Sequence, residues 1–340
     1  SIYDFQIKTT FDRKKQNFSK IVFPSLKVTE DCVLTAELFD NGELFSSKSV
    51  EVGKEKIETL DFEDLEVKKW SAENPYLYQL YLTLSIDGEI VEIVRKNVGF
   101  RHIEIKENIF YFNDKRVKLL GVNHHDTTAD KGYCMTGDEM KKDIEIIKEY
   151  NCNAIRTSHY PPDPTFLDLC DLYGIYVMDE ADIEAHGVCE IYKPNLISNN
   201  LKWKEHYWDR VYRMFERDKN HASITFWSLG NEAGGYKCQD YCYQNLKKLT
   251  DIPIHYEGAI RTRRIGYDVI SMMYPEVSLV EKIGQGKIKK YFKKPYFACE
   301  YAHAMGVGAG DLERYVETFY KYDNLIGGCI WEFADHAVYH

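Results

Sequence analysis

Past Asn113 the sequence changes its period, and that change constrains the fold more than any other feature. Short apolar runs begin to alternate with stretches whose apolar positions recur every three or four residues. This is the pattern of β-strands joined by helices into a parallel sheet. Eight runs read as strands: Val117–Asn123, Ala154–His159, Tyr176–Asp182, Ser223–Leu229, Ile254–Glu257, Asp268–Tyr274, Tyr296–Glu300 and Gly328–Phe333. Between them, Asp138–Tyr150 places Met140, Ile144 and Ile147 on one helical stripe, and Leu201–Arg217 and Asp311–Tyr322 read as further helices. Eight strands so joined predict a (β/α)8 TIM barrel over residues 101–340. The sequence ends at His340, just past the eighth run, so the expectation is a barrel lacking its last helix.

Residues 1–100 follow a two-residue period. Cys32, Leu34, Ala36 and Leu38 alternate with Val33, Thr35, Glu37 and Phe39 before the turn Asp40-Asn41-Gly42. Leu80, Leu82, Leu84 and Ile86 run into Asp87-Gly88, and Ile90, Glu92 and Val94 return. An Asp-Gly pair between alternating runs predicts a hairpin. About seven such strands predict an all-β immunoglobulin-like sandwich.

A net charge of −10 without a basic block argues against nucleic acid as a partner. No apolar run reaches the roughly 20 residues of a membrane span. The nine cysteines are odd in number, scattered and free of any CxxC pair. That usage fits a reducing, cytoplasmic location better than a disulfide framework.

In TIM barrels the chemistry lies at the carboxyl ends of the strands. Here those ends read Asn123-His124-His125-Asp126, Arg156 to Tyr160, Asp179 to His186, Asn231-Glu232, Met273-Tyr274, Glu300 to His303 and Trp331-Glu332-Phe333. Glycoside hydrolysis needs two carboxyl groups flanking the scissile bond, about 5–5.5 Å apart when the configuration is retained. Glu232 and Glu300, on strands four and seven, can face each other in this way. Spacing alone leaves a second reading equally open, in which each caps a following helix or pairs with a neighbouring Arg. Glu184 and His186 lie two apart in an extended segment and point the same way. By spacing alone they read more readily as a hydrogen-bonded pair than as metal ligands. His124, His221, Cys238, Cys242, Tyr236, Tyr241 and Tyr243 read as packing, turn or surface residues.

Several of these segments resemble the bacterial β-galactosidases of glycoside hydrolase family 2. The matching stretches are Trp227 to Glu232, Cys299-Glu300-Tyr301-Ala302-His303-Ala304-Met305-Gly306, Gly121-Val122-Asn123 with His125, Arg156 to Pro161, Asp182 to Gly187 and Trp70 to Pro75. The resemblance implies a β-galactoside as substrate, Glu300 as nucleophile and Glu232 as acid/base. It also implies that Asn231 meets the sugar 2-hydroxyl, and that Tyr274 and Arg156 hold and polarise Glu300. His125, His159 and His303 would line the sugar subsite, with Trp331 as a platform under the ring. Glu184, His186 and Glu232 would hold Mg2+, and the full-length protein could be a homo-oligomer.

Two departures qualify these expectations. Where the family continues with Asn, Val307-Gly308-Ala309-Gly310 follows Gly306. The family's N-terminal jelly-roll domain, which supplies an acidic residue to its galactose and sodium sites, is not among these 340 residues. The expectation is therefore an incomplete sodium site and weak or absent activity, with sugar binding alone as one outcome. Among rivals, a β-glucuronidase would need a further basic cluster at the strand ends. A metal-dependent amidohydrolase would need an HxH pair where His124 and His125 are adjacent.

Overall fold

In the computed structural model, Leu34, Ala36 and Leu38 on one strand face Leu84, Leu82 and Leu80 on the next, all fully buried. The structure describes every residue except 13–17, 23–25, 29, 54–56, 59, 192–195, 265, 292, 306–307 and 340. The sequence expectations that fall on Gly306, Val307 and His340 lie outside the described residues. The chain forms two units, Ser1–His102 with Lys219–Ala222, and Ile103–Asp218 with Ser223–His340.

The first unit is a β-sandwich. A four-stranded antiparallel sheet runs in the order Glu89–Val98, Tyr78–Ile86, Cys32–Asp40, Glu43–Val52. Its core continues through Leu60, Phe62, Leu65, Val98 and Phe100. Three-stranded sheets formed by Lys8–Phe11, Phe18–Val22 and Asp61–Glu66, and by Ile2–Asp4, Leu26–Val28 and Ile57–Glu58, complete it. Both hairpin turns form where predicted: Asn41 and Gly42, and Asp87 and Gly88, all take positive φ. That conformation suits two-residue turns between twisted strands. The return strand departs from clean alternation. A register shift between Ile90 and Glu92 leaves Ile90, Val91 and Ile93 exposed.

The second unit is a barrel of eight parallel strands. Strands one to eight are Leu119–His124, Ala154–Thr157, Tyr176–Glu180, Ile224–Ser228, Ile254–His255, Ile270–Met273, Tyr296–Tyr301 and Leu325–Phe333. They neighbour one another in the order 5-4-3-2-1-8-7-6, so strand eight closes onto strand one. Among the described residues, no ladder joins strands five and six. There His255 bridges instead, with Nδ1 2.8 Å from Ser228 Oγ and Nε2 2.8 Å from Ser271 Oγ. Ahead of the barrel, a small antiparallel sheet packs Phe110 on Phe226 and Phe112 on Tyr176 at the start of strand three.

Local chemistry sets the helices. Gly137–Glu149 starts with a capping box between Thr136 and Glu139 and buries Met140, Ile144 and Ile147. Pro164–Tyr173 has Asp163 as its N-cap, Pro at its first position, and Gly174 in the left-handed region at its end. Lys204–Asp218, Lys237–Leu246, Val277–Gly284 and Leu312–Lys321 follow later strands. The expectation of helices throughout fails after strand five, where among the described residues only the 3-10 turn Glu257–Ala259 forms. Tyr256, Glu257, Ala259 and Tyr267 in that connection are all buried, so it packs inward. Residues 334–339 form no helix. Among the described residues, no helix is long and apolar enough to cross a membrane.

Strands one and eight approach closely because Gly327 stands opposite Leu119 with φ +135. A Cβ at that position would lie 2.0 Å from the Leu119 carbonyl oxygen. Gly327→Ala is therefore expected to cost more than about 2 kcal/mol of stability. Chemical denaturation checks this, and an unchanged midpoint and slope would contradict it.

Candidate active site

Strand pairing accounts for the centre of the site. Asn123 on strand one pairs with Arg156 on strand two, so their side chains share the barrel interior. Glu180 on strand three pairs with Ser228, and Ser228 with His255 on strand five. Arg156 is fully buried, and each of its five N–H donors has an acceptor. Nε and Nη2 grip both oxygens of Glu180 at 2.9 and 3.0 Å. Nη1 donates to Asn123 Oδ1 at 3.0 Å and to Glu300 Oε1 at 2.8 Å. Nη2 also donates to Asn231 Oδ1 at 2.9 Å.

Glu180 is equally saturated. Besides Arg156 it accepts from His159 Nδ1 at 2.7 Å and Ser228 Oγ at 2.6 Å. Burial by itself would raise its pKa, but Arg156, His159 and Ser228 outweigh burial and hold it below the carboxylate range. Since the Ser228 hydroxyl donates to Glu180, its oxygen accepts from His255 Nδ1. Burial, aided by Arg156, lowers the His255 pKa to about 3, so the ring is neutral and its Nε2 is left to accept from Ser271 Oγ.

Glu300, at the end of strand seven, is buried beneath Tyr274, whose hydroxyl donates to Oε2 at 2.7 Å. Burial and then Glu300 push the Tyr274 hydroxyl upward, so it stays a donor. Glu232 sits on the next segment after strand four, with its side chain 24 % exposed. Burial raises its pKa; His186 opposes that shift, and Glu300 and Glu184 reinforce it. Glu232, Tyr274 and Ala302, just past strands four, six and seven, have φ of +33, +48 and +50. Left-handed backbone costs non-glycine residues free energy, and it accumulates here at one rim.

The loops after strands three and four are tied by a parallel bridge between Glu184 and Asn231 and by the Asn231 N–H on Ile183 O at 2.9 Å. This brings Glu184, His186 and Glu232 together, with one ligand atom of each within 4.8 Å of the others. His186 Nδ1 lies 2.8 Å from Glu232 Oε2 and 4.0 Å from Glu184 Oε1.

The remaining expected sugar contacts divide. His159 joins the buried network, with Asn231 Nδ2 3.3 Å from its Nε2, and it stacks on Trp331 at 5.3 Å and 11°. His125 is buried edge-on to His159 and Trp331, and burial lowers its pKa to about 2. His303 is exposed, with its ring 5.6 Å from that of Tyr274. His124 packs as expected, stacked on Phe166 and 3.0 Å from Asp143. Cys238 and Cys242 are buried and free, as are Cys170, Cys299 and Cys329. Sequence reasoning singled out neither Glu180 nor Glu332. The signal for Glu180 is a carboxylate at the end of a short strand that begins Tyr176-Val177-Met178, next to a strand that carries Arg156.

Residues 103–340 match the model for the TIM barrel domain of the glycosyl hydrolases of family 2, and residues 1–101 match a second model of the same family. The chain is 35 % identical to a beta-galactosidase of Halalkalibacterium halodurans, over 99 % of this chain and 34 % of that protein. It is 38 % identical to a beta-galactosidase of Streptococcus thermophilus, over 83 % and 30 %. The chain thus spans about a third of the length of these curated relatives. Among solved structures, a beta-D-glucuronidase of Dictyoglomus thermophilum aligns with TM-score 0.81 and 24 % identity, covering 98 % of this chain and 62 % of that one. At that identity the likeness concerns the fold.

Arg156→Lys keeps the charge but offers three donors where five are used. We expect about 3 kcal/mol lower unfolding free energy, read from urea denaturation. An unchanged midpoint would contradict the account of the network.

Proposed function

The chain belongs to glycoside hydrolase family 2, and from that premise we propose that it cleaves terminal β-D-galactosides with retention of configuration. The observation that carries this reading is the unequal surroundings of two carboxylates. Glu300 has a permanent cation on one oxygen and the Tyr274 hydroxyl on the other, whereas burial drives Glu232 toward its protonated form. A nucleophile and a proton donor need this difference. In the first step Glu300 attacks the anomeric carbon while Glu232 protonates the departing glycosidic oxygen. In the second, Glu232 takes a proton from water, the water oxygen bonds to the anomeric carbon, and the Glu300 carboxylate leaves.

Asn231 has its amide oxygen fixed by Arg156 and one N–H directed at His159. Its second N–H is left for the sugar 2-hydroxyl. His125, His159 and Trp331, packed together, and His303, beside Tyr274, are the side chains assigned to the rest of the sugar subsite. Galactosides are favoured over glucuronides because every donor of Arg156 is already engaged, leaving none for a sugar carboxylate. The beta-galactosidase relatives support the same choice.

Glu184, His186 and Glu232 suit Mg2+: two carboxylates and one imidazole converge on a partly exposed spot with room for retained waters. Bound there, the ion would supply a fixed positive charge beside Glu232. Glu184→Gln is expected to weaken Mg2+ binding at least about tenfold, measured calorimetrically; an unaltered isotherm would remove the metal assignment.

Glu300→Gln is expected to lower turnover of a chromogenic β-galactoside at least about a thousandfold, with galactose affinity within a few-fold of the parent. Turnover close to that of the parent, or faster turnover of the matching β-glucuronide by the unaltered protein, would overturn the proposed function.

A further inference from the structure

Beside the carboxylates already described lies a second group of metal-type donors. His125 at the end of strand one, Glu332 at the end of strand eight and His336 just beyond it each place one ligand atom within 4.8 Å of the others. Glu332 Oε2 lies 3.2 Å from His125 Nδ1 and 3.3 Å from His336 Nε2. The Glu332 side chain is 0 % exposed, yet neither of its oxygens has a hydrogen-bond partner, and neither has His336 Nε2. A buried carboxylate left this way is costly. Its oxygens are aimed between two imidazoles rather than at a cation or a donor of the protein. The other neighbour of His125 Nδ1 is Ser158 Oγ, at 3.3 Å.

We propose that His125, Glu332 and His336 form a binding site for a divalent transition-metal ion of the zinc type. With metal–nitrogen and metal–oxygen bonds of about 2.0–2.1 Å, ligand atoms at the corners of a tetrahedron stand about 3.3 Å apart. The two contacts of Glu332 Oε2 already have that length. Two imidazoles and one carboxylate are a usual three-ligand set for Zn2+, with water in the fourth position, and imidazole discriminates against Mg2+. The donor set thus differs from the carboxylate-rich, partly exposed group at Glu184. The ion would also neutralise the buried Glu332 carboxylate, which otherwise faces two imidazoles and no permanent cation. An ion here and a sugar contacting His125 would exclude each other; that consequence rests on the function proposed above, whereas the metal site does not.

The test is calorimetric titration of the metal-free protein with Zn2+, for the parent, His336→Gln and Glu184→Gln. Circular dichroism would check that each variant is folded. His336 lies outside the proposed catalytic and sugar-binding residues, so its replacement leaves that machinery in place. The expected result is a tight Zn2+ equivalent that persists in Glu184→Gln and weakens at least about tenfold in His336→Gln. If His336→Gln binds Zn2+ like the parent, or if Glu184→Gln removes all tight binding, the site is not formed by these residues.

Discussion

A guanidinium buried in the middle of a barrel is tolerable only if every one of its donors is met, and that demand on Arg156 organises the second unit. It requires a carboxylate on the adjacent strand, which is Glu180, and it turns the Asn123 and Asn231 amides so that their oxygens face inward. The Asn123 amide nitrogen is then free to donate to Cys299 O and Cys329 O, tying strand one to strands seven and eight. Through Ser228 and His255 the same demand reaches the seam between strands five and six.

The network also fixes the site's polarity. Arg156 and Tyr274 hold the two oxygens of Glu300 in one orientation, at a depth where few side-chain rearrangements are possible. Glu232 lies closer to solvent, on a backbone with positive φ, and touches His186 rather than Arg156. Two carboxylates of the same residue type thus meet different surroundings, which is the basis for the different tasks proposed for them. Rigid strands carry the first, and the second sits on a segment pinned by the Asn231 N–H to Ile183.

Much of the architecture was legible in the sequence, because period two and period 3.6 are direct consequences of which faces are buried. Leu34, Ala36 and Leu38, or Met140, Ile144 and Ile147, needed no tertiary knowledge. What escaped is what depends on pairing between distant segments. After strand five the described residues form a 3-10 turn in place of an α-helix, with Tyr256 and Tyr267 packed inward, which local periodicity does not express. Glu180 looked like one more acidic residue at a strand end until register set it against Arg156 and Ser228. Trp331 stacks one face on His159, a contact between the ends of strands eight and two that local sequence does not express. The convergence of Glu184, His186 and Glu232 depends on a bridge between two loops, and their residue types alone left a simple hydrogen-bonded pair the readier reading.

The central claim is that the Arg156 network presents Glu300 as the attacking carboxylate. A mechanism-based 2-fluoro-galactoside trap, followed by proteolysis and peptide mapping by mass spectrometry, addresses that claim without relying on substitution. The account predicts a single covalent galactosyl adduct on Glu300. An adduct on Glu232, or on any residue other than Glu300, would contradict it.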